Sequence, residues 1–274
     1  MSFSLKTNIA ALTAQAHLGN TALEISRSLA KLSSGYRITR AQDDPAGLAI
    51  SVNLGAQIRG YHQAVRNAQD ALSVTQTAEA SLNETQNILV RLRELASQAA
   101  SSGVSNVERG FIQIEVGALI SEVDRIAHGT EYNGVSLING TAHLTFQVGI
   151  RNVAANDQIA VTTSSATAAA LSISTLSLAA LTAAAGALTT IDSALQSVSS
   201  ARAILGGQAN RMERAMRTAT QASISLAAAQ SRIRDVDVAE EISNLSRLQI
   251  QMQAGVAVLA QANQMPALVL KLLG

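Results

Sequence analysis

Apolar residues recur in alternating steps of three and four along most of this chain. Leu5, Ile9, Leu12, Ala16, Gly19 and Leu23 form one track, and Leu18, Ala22, Ile25, Leu29 and Leu32 form a second beside it. Such steps lay side chains along one stripe of a helix, and a stripe drifting near 3.5 residues suits a coiled-coil partner. The run stops at "SSGYR", where Gly35 predicts a C-cap. The rhythm resumes after Pro45 through Val65, Ala68, Leu72, Leu82, Leu89, Leu92, Leu95 and Ala99, and stops again in "SSGVS". Ile112, Val116, Leu119, Val123 and Ile126 make a third run. The C-terminal third keeps the pattern from Leu188 to Ile233, meets a polar joint at "RIRDVDVAEEIS", and ends in a run holding Leu245, Leu248, Met252, Val256, Leu259, Leu268 and Leu272. Pro266 falls in the final turns of that run, where a kink is tolerable.

The middle of the chain changes period. In "YNGVSLINGTAHLTFQVGI", Leu144, Phe146, Val148 and Ile150 alternate with His143, Thr145, Gln147 and Gly149, and two Asn-Gly pairs signal tight hairpin turns. "DQIAVTT" is a further short strand candidate, and the Ala/Ser/Thr/Leu-rich tract that follows predicts part loop and part weakly specified helix. The fold class expected is therefore mainly α: long antiparallel helices in a coiled-coil or bundle, with a small β-hairpin element at about residues 135–163. Both chain ends are amphipathic, so the first and last runs should pair in one helical layer. Residues 1–43 with 235–274 would form that terminal domain. Residues 44–234 would form a helical bundle carrying the β element and the tract at 164–190.

The stretch "RITRAQDDPAGLAIS" interrupts the helical texture near the N-terminus. Asp44 is a good N-cap and Pro45 suits the first helical position, where its missing N–H has no intrahelical partner to lose. Arg37 and Arg40 are near enough in sequence to pair with Asp43. Asp43 and Asp44 as a catalytic carboxylate pair is the weaker reading. Adjacent acids point different ways, and no histidine or nucleophile is patterned with them.

Composition narrows the function. Of 274 residues, 47% are hydrophobic and only 2% aromatic, so the apolar content is Ala, Leu, Ile and Val, which suits long helices. The net charge of +1 has no basic block to follow phosphates, so nucleic-acid binding is not expected. There is no cysteine, which removes disulfide and thiol chemistry. The start "MSFSLKTNIAALTAQ" lacks a basic region followed by an apolar core, so no Sec-type signal peptide is expected. No stretch of about 20 residues is apolar enough to span a bilayer, so membrane insertion is not expected. His17, His62, His128 and His143 are scattered without metal-ligand spacing. No metal, cofactor or enzymatic site is expected.

The residues resemble bacterial flagellin over nearly the whole chain. "SLKTNIAALTAQ", "KLSSGYRITRAQDDPAGLAIS", "ALSVTQTAEASLNE", "VRLRELASQAA" and "SEVDRIAHGTEYNGVSLING" are similar to family blocks and stand in family order. "SRIRDVDVAEEISNLSRLQIQMQAGVAVLAQANQMPALVLKLLG" is similar to the family's C-terminus. The resemblance implies a structural subunit that polymerises into the extracellular flagellar filament, with both terminal helices lining its core. On that reading the core contacts are Leu5, Asn8, Ile9, Leu12, Leu245, Leu248, Val256, Leu259, Asn263, Leu268 and Leu272. Arg37, Arg40, Asp43, Asp44 and Pro45 would form the joint between layers, at about residues 34–47, and touch neighbouring subunits. It also implies export in an unfolded state through the flagellar type III route, with a secretion chaperone at the C-terminal helix, assembly at the tip, and contacts with cap and junction proteins. Large outer domains of many flagellins have no counterpart here, so a nearly minimal subunit is expected.

Arg91, Leu95 and Glu115 match positions that contact a Toll-like innate immune receptor in many flagellins. The plainer reading is an Arg91–Glu115 ion pair between helices and a Leu95 packed in the bundle. The Ser/Thr-rich stretch at 162–177 is compatible with O-glycosylation, though such composition is common in loops. Two alternatives to a filament subunit are a junction or hook-associated protein and a flagellin-like surface carbohydrate-binding protein. The latter would need an aromatic-lined groove that so few aromatics hardly supply.

Overall fold

The computed structural model describes the backbone of residues 7–273 and the side chains of residues 7–265. Its elements are α1 (Ile9–Ser34), α2 (Pro45–Ala99), α3 (Asn106–Gly129), β1 (Glu131–Tyr132), β2 (Val135–Ser136), β3 (His143–Gln147), α4 (Ala154–Asp157), β4 (Gln158–Thr162), α5 (Leu181–Arg234) and α6 (Val238–Leu273). The fold is mainly α, as the periodicity predicts. The chain divides into two compact units, residues 1–56 with 225–274, and residues 57–224. The divisions fall inside α2 and α5, inboard of the helix breaks at residues 35–44 and 235–237.

In the first unit α1 and α6 run antiparallel. The Asn8 side-chain amide N–H donates to the Ala262 carbonyl at 2.9 Å, and Lys31 lies 3.9 Å from Glu241 at the other end. Asn8 also caps α1, its Oδ1 accepting the Ala11 N–H at 3.1 Å. Gly35 closes the helix with φ 72°, a left-handed conformation that costs glycine little, and its N–H donates to the Lys31 carbonyl. Gly255 sets how closely the pair approaches, since a Cβ there would lie 2.8 Å from Leu18 Cδ2. Ser28 and Leu248 are buried, at 2% exposure each.

In the second unit, the α2 stripe Leu82, Leu89, Leu92 and Leu95 packs in one core with Val116 and Val123 of α3 and Ile191, Val198, Leu205 and Met212 of α5. The helices are antiparallel in turn: Arg91 pairs with Glu115 across α2 and α3, while Arg93 pairs with Asp192 at 2.6 Å across α2 and α5. Serine and glutamate at the start of α3 make a reciprocal capping box, Ser105 with Glu108. The buried Arg109 ends α2 by donating to the carbonyls of Ala99 at 2.8 Å and Ser101 at 2.9 Å.

The first Asn-Gly pair, Asn133-Gly134, turns the β1–β2 hairpin with φ 50° and 76°, both positive as such a two-residue turn requires. Asn139-Gly140 joins no hairpin; it lies in the turn leading to β3. β3 pairs antiparallel with β4, with Leu144 opposite Val161 and Phe146 opposite Ile159. The strand expected to run to Ile150 stops at Gln147. The Val148 and Gly149 N–H groups both donate to the Asp157 carbonyl and close a compact loop. A side chain at Gly149 would overlap the Asp157 carboxylate.

The Ala/Ser/Thr-rich tract is more defined than its composition suggests. Residues 163–180 form irregular structure, and α5 starts at Leu181. Two α3 side chains hold that segment: Asp124 accepts the Ala168 N–H at 2.7 Å, and Gln113 accepts the Leu178 N–H at 2.6 Å. Within it, Ala168, Leu171, Ile173 and Leu178 are buried.

Candidate assembly surface

The joint in the sequence is a meeting of two breaks. Tyr36 and Asp235 form an antiparallel bridge, with the Arg37 N–H donating to the Arg234 carbonyl at 2.7 Å and the Val236 N–H to the Gly35 carbonyl at 3.0 Å. The Arg234 guanidinium lies 4.1 Å from the Tyr36 ring centroid, a cation–π contact. Arg37 sends its guanidinium to the Ile233 carbonyl at 2.5 Å.

The expected pairing of Arg37 or Arg40 with Asp43 is corrected by the structure. One oxygen of Asp43 accepts the Thr39 N–H, the Thr39 hydroxyl and the Arg40 N–H at 2.9–3.0 Å. The carboxylate closes a turn on backbone donors and leaves both guanidiniums elsewhere. Those N–H donors, Arg40's first, hold the Asp43 carboxyl below its usual pKa, against a smaller opposing effect of burial. Asp44 accepts the Gly47 N–H at 2.9 Å and Pro45 is the first residue of α2, the cap arrangement expected from the sequence.

Four residues of this joint escape pattern reading. Ile38 is fully buried under it. Gly47 must be glycine, because a Cβ would lie 2.9 Å from Ile38 Cδ1 as well as overlapping Asp44. Ser51 is buried, and its carbonyl accepts a hydrogen bond from the Gln230 amide at 2.8 Å. The only sequence signal was a glycine three residues after a cap.

The two apolar tracks of α1 lie on opposite faces. Leu18, Ala22, Ile25 and Leu32 are half-buried toward α6. Ile9, Leu12 and Leu23 face outward at 67%, 56% and 60% exposure, with Leu29 at the edge. On α6, Leu245, Leu248 and Leu259 share the face turned to α1, whereas Ile250, Val256 and Val258 are exposed. Asn8 is half-buried and Asn263 exposed. The expected core contacts therefore split. Ile9, Leu12, Val256 and Asn263 are open to a neighbour, and Leu245, Leu248 and Leu259 are already engaged within the chain. Leu5 lies outside the described residues, and the side chains of Leu268 and Leu272 lie outside the described ones.

Of the expected receptor-contact residues, Arg91 is held between Glu94 and Glu115 at 2.9–3.0 Å, and both Arg91 and Glu115 are about half exposed. Leu95 is 2% exposed inside the bundle, so it offers no surface to a protein partner in this conformation. The plain ion-pair and packing reading is what the side chains do.

Among the described residues no group of three His, Cys, Asp or Glu side chains is placed to hold a metal ion. No described helix is long and apolar enough to cross a membrane. An open groove of 470 Å³ between residues 164–171 and α5 is lined by Ser193, Ser197, Ser200, Ala and Leu side chains without a titratable group.

The N-terminal helical region of bacterial flagellin matches residues 5–143, and the C-terminal helical region matches residues 188–273. The chain is 40% identical to the flagellar filament 33 kDa core protein of Treponema phagedenis, covering 97% of this chain and 98% of that one. It is 41% identical to the flagellin of Bacillus subtilis (strain 168), with the same coverage of each chain. The crystal structure of Bacillus cereus flagellin aligns at 29% identity with a TM-score of 0.48, over 56% of this chain and 88% of that one. With both terminal regions matched and relatives aligned over nearly their whole length, the chain belongs to the flagellin family.

Proposed function

We propose that this protein is the structural subunit of a bacterial flagellar filament and that its function is mechanical. The observation that carries the reading is the pair of outward apolar faces on α1 and α6. A two-helix hairpin hides one stripe of each helix from water, and Ile9, Leu12, Leu23, Ile250, Val256 and Val258 remain on the others. Burying them requires further copies. At about 25 cal/mol per Å² of apolar surface, about 1,000 Å² contributes roughly 25 kcal/mol gross, before association and ordering costs. The flagellins are structural proteins, and nothing in the joint supplies a nucleophile with its base.

The wider setting follows from this reading. The subunit leaves the cell unfolded through the flagellar export route, with a chaperone on the C-terminal helix, and adds at the filament tip beneath a cap protein. A chain without cysteine suits that passage. The experiment is truncation: removal of Met1–Gly35 or of Ser243–Gly274 should leave a soluble fragment that does not polymerise. Filaments formed by either fragment under ordinary conditions would contradict the proposal.

The exposed Arg91–Glu115 pair favours a second role, recognition of the free monomer by a Toll-like receptor, with Leu95 acting only by supporting the surface from within. Unchanged receptor signalling by an Arg91→Ala, Glu115→Ala monomer would remove it.

A further inference from the structure

The middle of the chain holds two Asn-Gly pairs, and the structure treats them differently. Asparagine followed by glycine can react with its own backbone. The glycine nitrogen, once hydroxide has taken its proton, attacks the asparagine Cγ. An N–Cγ bond forms, the Cγ–Nδ2 bond breaks, and the amide nitrogen leaves as ammonia. The five-membered imide then takes up one water. Opening at Cγ gives aspartate, and opening at the main-chain carbonyl gives isoaspartate, in which the chain runs through Cβ. Glycine favours ring closure because it has no side chain to shield its nitrogen and the freest backbone. The ring closes only when rotation about the asparagine Cα–C bond brings that nitrogen beside Cβ.

Asn133-Gly134 is held against such a rotation. Both residues sit at positive φ, 50° and 76°, and the turn is enclosed by the pairs Tyr132–Val135 and Glu131–Ser136. Reaction there has to wait for the hairpin to open, so its rate scales with the open fraction. Asn139-Gly140 has no such enclosure. Asn139 is exposed and no strand pair flanks it. Among the described residues neither the Asn139 side chain nor the Gly140 N–H makes a hydrogen bond. A Cβ at Gly140 would meet nothing within 4 Å, so the nitrogen has room to swing.

Both ends of this short turn are pinned. On one side the Ile138 carbonyl accepts the Ala166 N–H at 2.8 Å. On the other, the Ala142 N–H donates to the Thr163 hydroxyl at 3.2 Å, and the Thr163 N–H donates to the Ala142 carbonyl at 3.0 Å. The same hydroxyl donates to the Leu137 carbonyl, so Thr163 clamps the turn across its base. Leu137 and Ile138 are fully buried and Thr163 is 2% exposed. Isoaspartate would insert an extra main-chain carbon between anchors that a close-packed core holds in place.

We propose that Asn139-Gly140 is a site of spontaneous self-modification whose isoaspartyl product loosens the Thr163 clamp, while the hairpin preserves Asn133-Gly134. The modified fraction grows with the age of the chain. The proposal is independent of the filament reading, since it needs only the folded monomer.

The test is incubation of the full-length folded protein in mildly alkaline buffer. Peptide mass spectrometry reads the loss of each amide, and methyl transfer by an isoaspartyl carboxyl methyltransferase reads the isoaspartate. Asn139 should react at least about tenfold faster than Asn133, the ratio that an opening cost of about 1.4 kcal/mol sets. In denaturant the two rates should converge, because both sites are then the same dipeptide in an open chain. Gly140→Ala should slow reaction at Asn139 and leave Asn133 at its parent rate. Aged, isoaspartate-rich protein should lose amide-exchange protection at Ala142 and Thr163, whereas Asn139→Asp, which adds the charge without the extra carbon, should keep it. Equal rates at the two sites in the folded chain, or a ratio that persists in denaturant, overturns the structural control of the reaction. Protection at Thr163 that is unchanged in the isoaspartyl chain, or equally lost in Asn139→Asp, overturns the effect on the clamp.

Discussion

Asp43 and Asp44 are neighbours that close different structures. Asp43 gathers the N–H groups of a turn, and Asp44 caps the helix that follows. Asp44→Ala should lower stability by about 1 kcal/mol, the usual cost of losing a helix cap, measured as a shift of the urea midpoint. Gly47→Ala should cost more, because the added methyl overlaps Asp44 and presses on Ile38. Asp43 adds a pH dependence of defined sign. Its folded pKa is depressed below the ordinary 3.8. Its contribution is therefore fully present above the ordinary carboxylate range and lost as pH falls through the depressed value. Asp43→Asn should flatten the acid limb of the stability curve below about pH 4. An unchanged acid limb would mean that the turn does not depend on the charge.

Helices and their pairing were largely legible in the sequence, and contacts made by single residues were not. The 3/4 rhythm and the Gly35 and Asp44-Pro45 signals placed the helix ends near the joint because those ends are set by local chemistry. The same rhythm could not say which apolar track of α1 faces α6, since both tracks have the spacing of a buried stripe. Gly255 settles it by letting Leu18 approach. Gln113 and Asp124 holding residues 163–180 are hidden because each acts on backbone far along the chain, and Arg109 because its partners are carbonyls left open by the end of another helix. The order of the low-complexity tract is hidden from its composition because two α3 side chains hold its backbone. At this scale Leu95 and Arg91 should differ sharply in the size of their effect. Leu95→Ala opens a cavity in the bundle core and should cost roughly 2–5 kcal/mol. Arg91→Ala removes an exposed, solvent-screened pair and should leave stability almost unchanged. Thermal unfolding of both variants distinguishes them, and equal effects would contradict the burial assigned here. Gly255→Leu should separate α1 from α6 and raise amide exchange along both helices, leaving the core of residues 57–224 protected.

At the scale of the molecule, one unit owns a closed core and the other owns helices with a face on each side. Leu82, Leu92, Leu205 and Met212 are sealed from water within a single chain. Ile9, Leu12, Ile250 and Val256 are not, and on the filament reading neighbouring copies would cover them. Amide exchange of the full-length protein before and after elongation from short seeds tests this most directly. The account predicts that α1 and α6 exchange fast in the monomer, become strongly protected as the seeds lengthen, and that α2, α3 and α5 within residues 57–224 change far less. Terminal helices already as protected in the monomer as the inner core, in a preparation that seeds fail to extend, would contradict it.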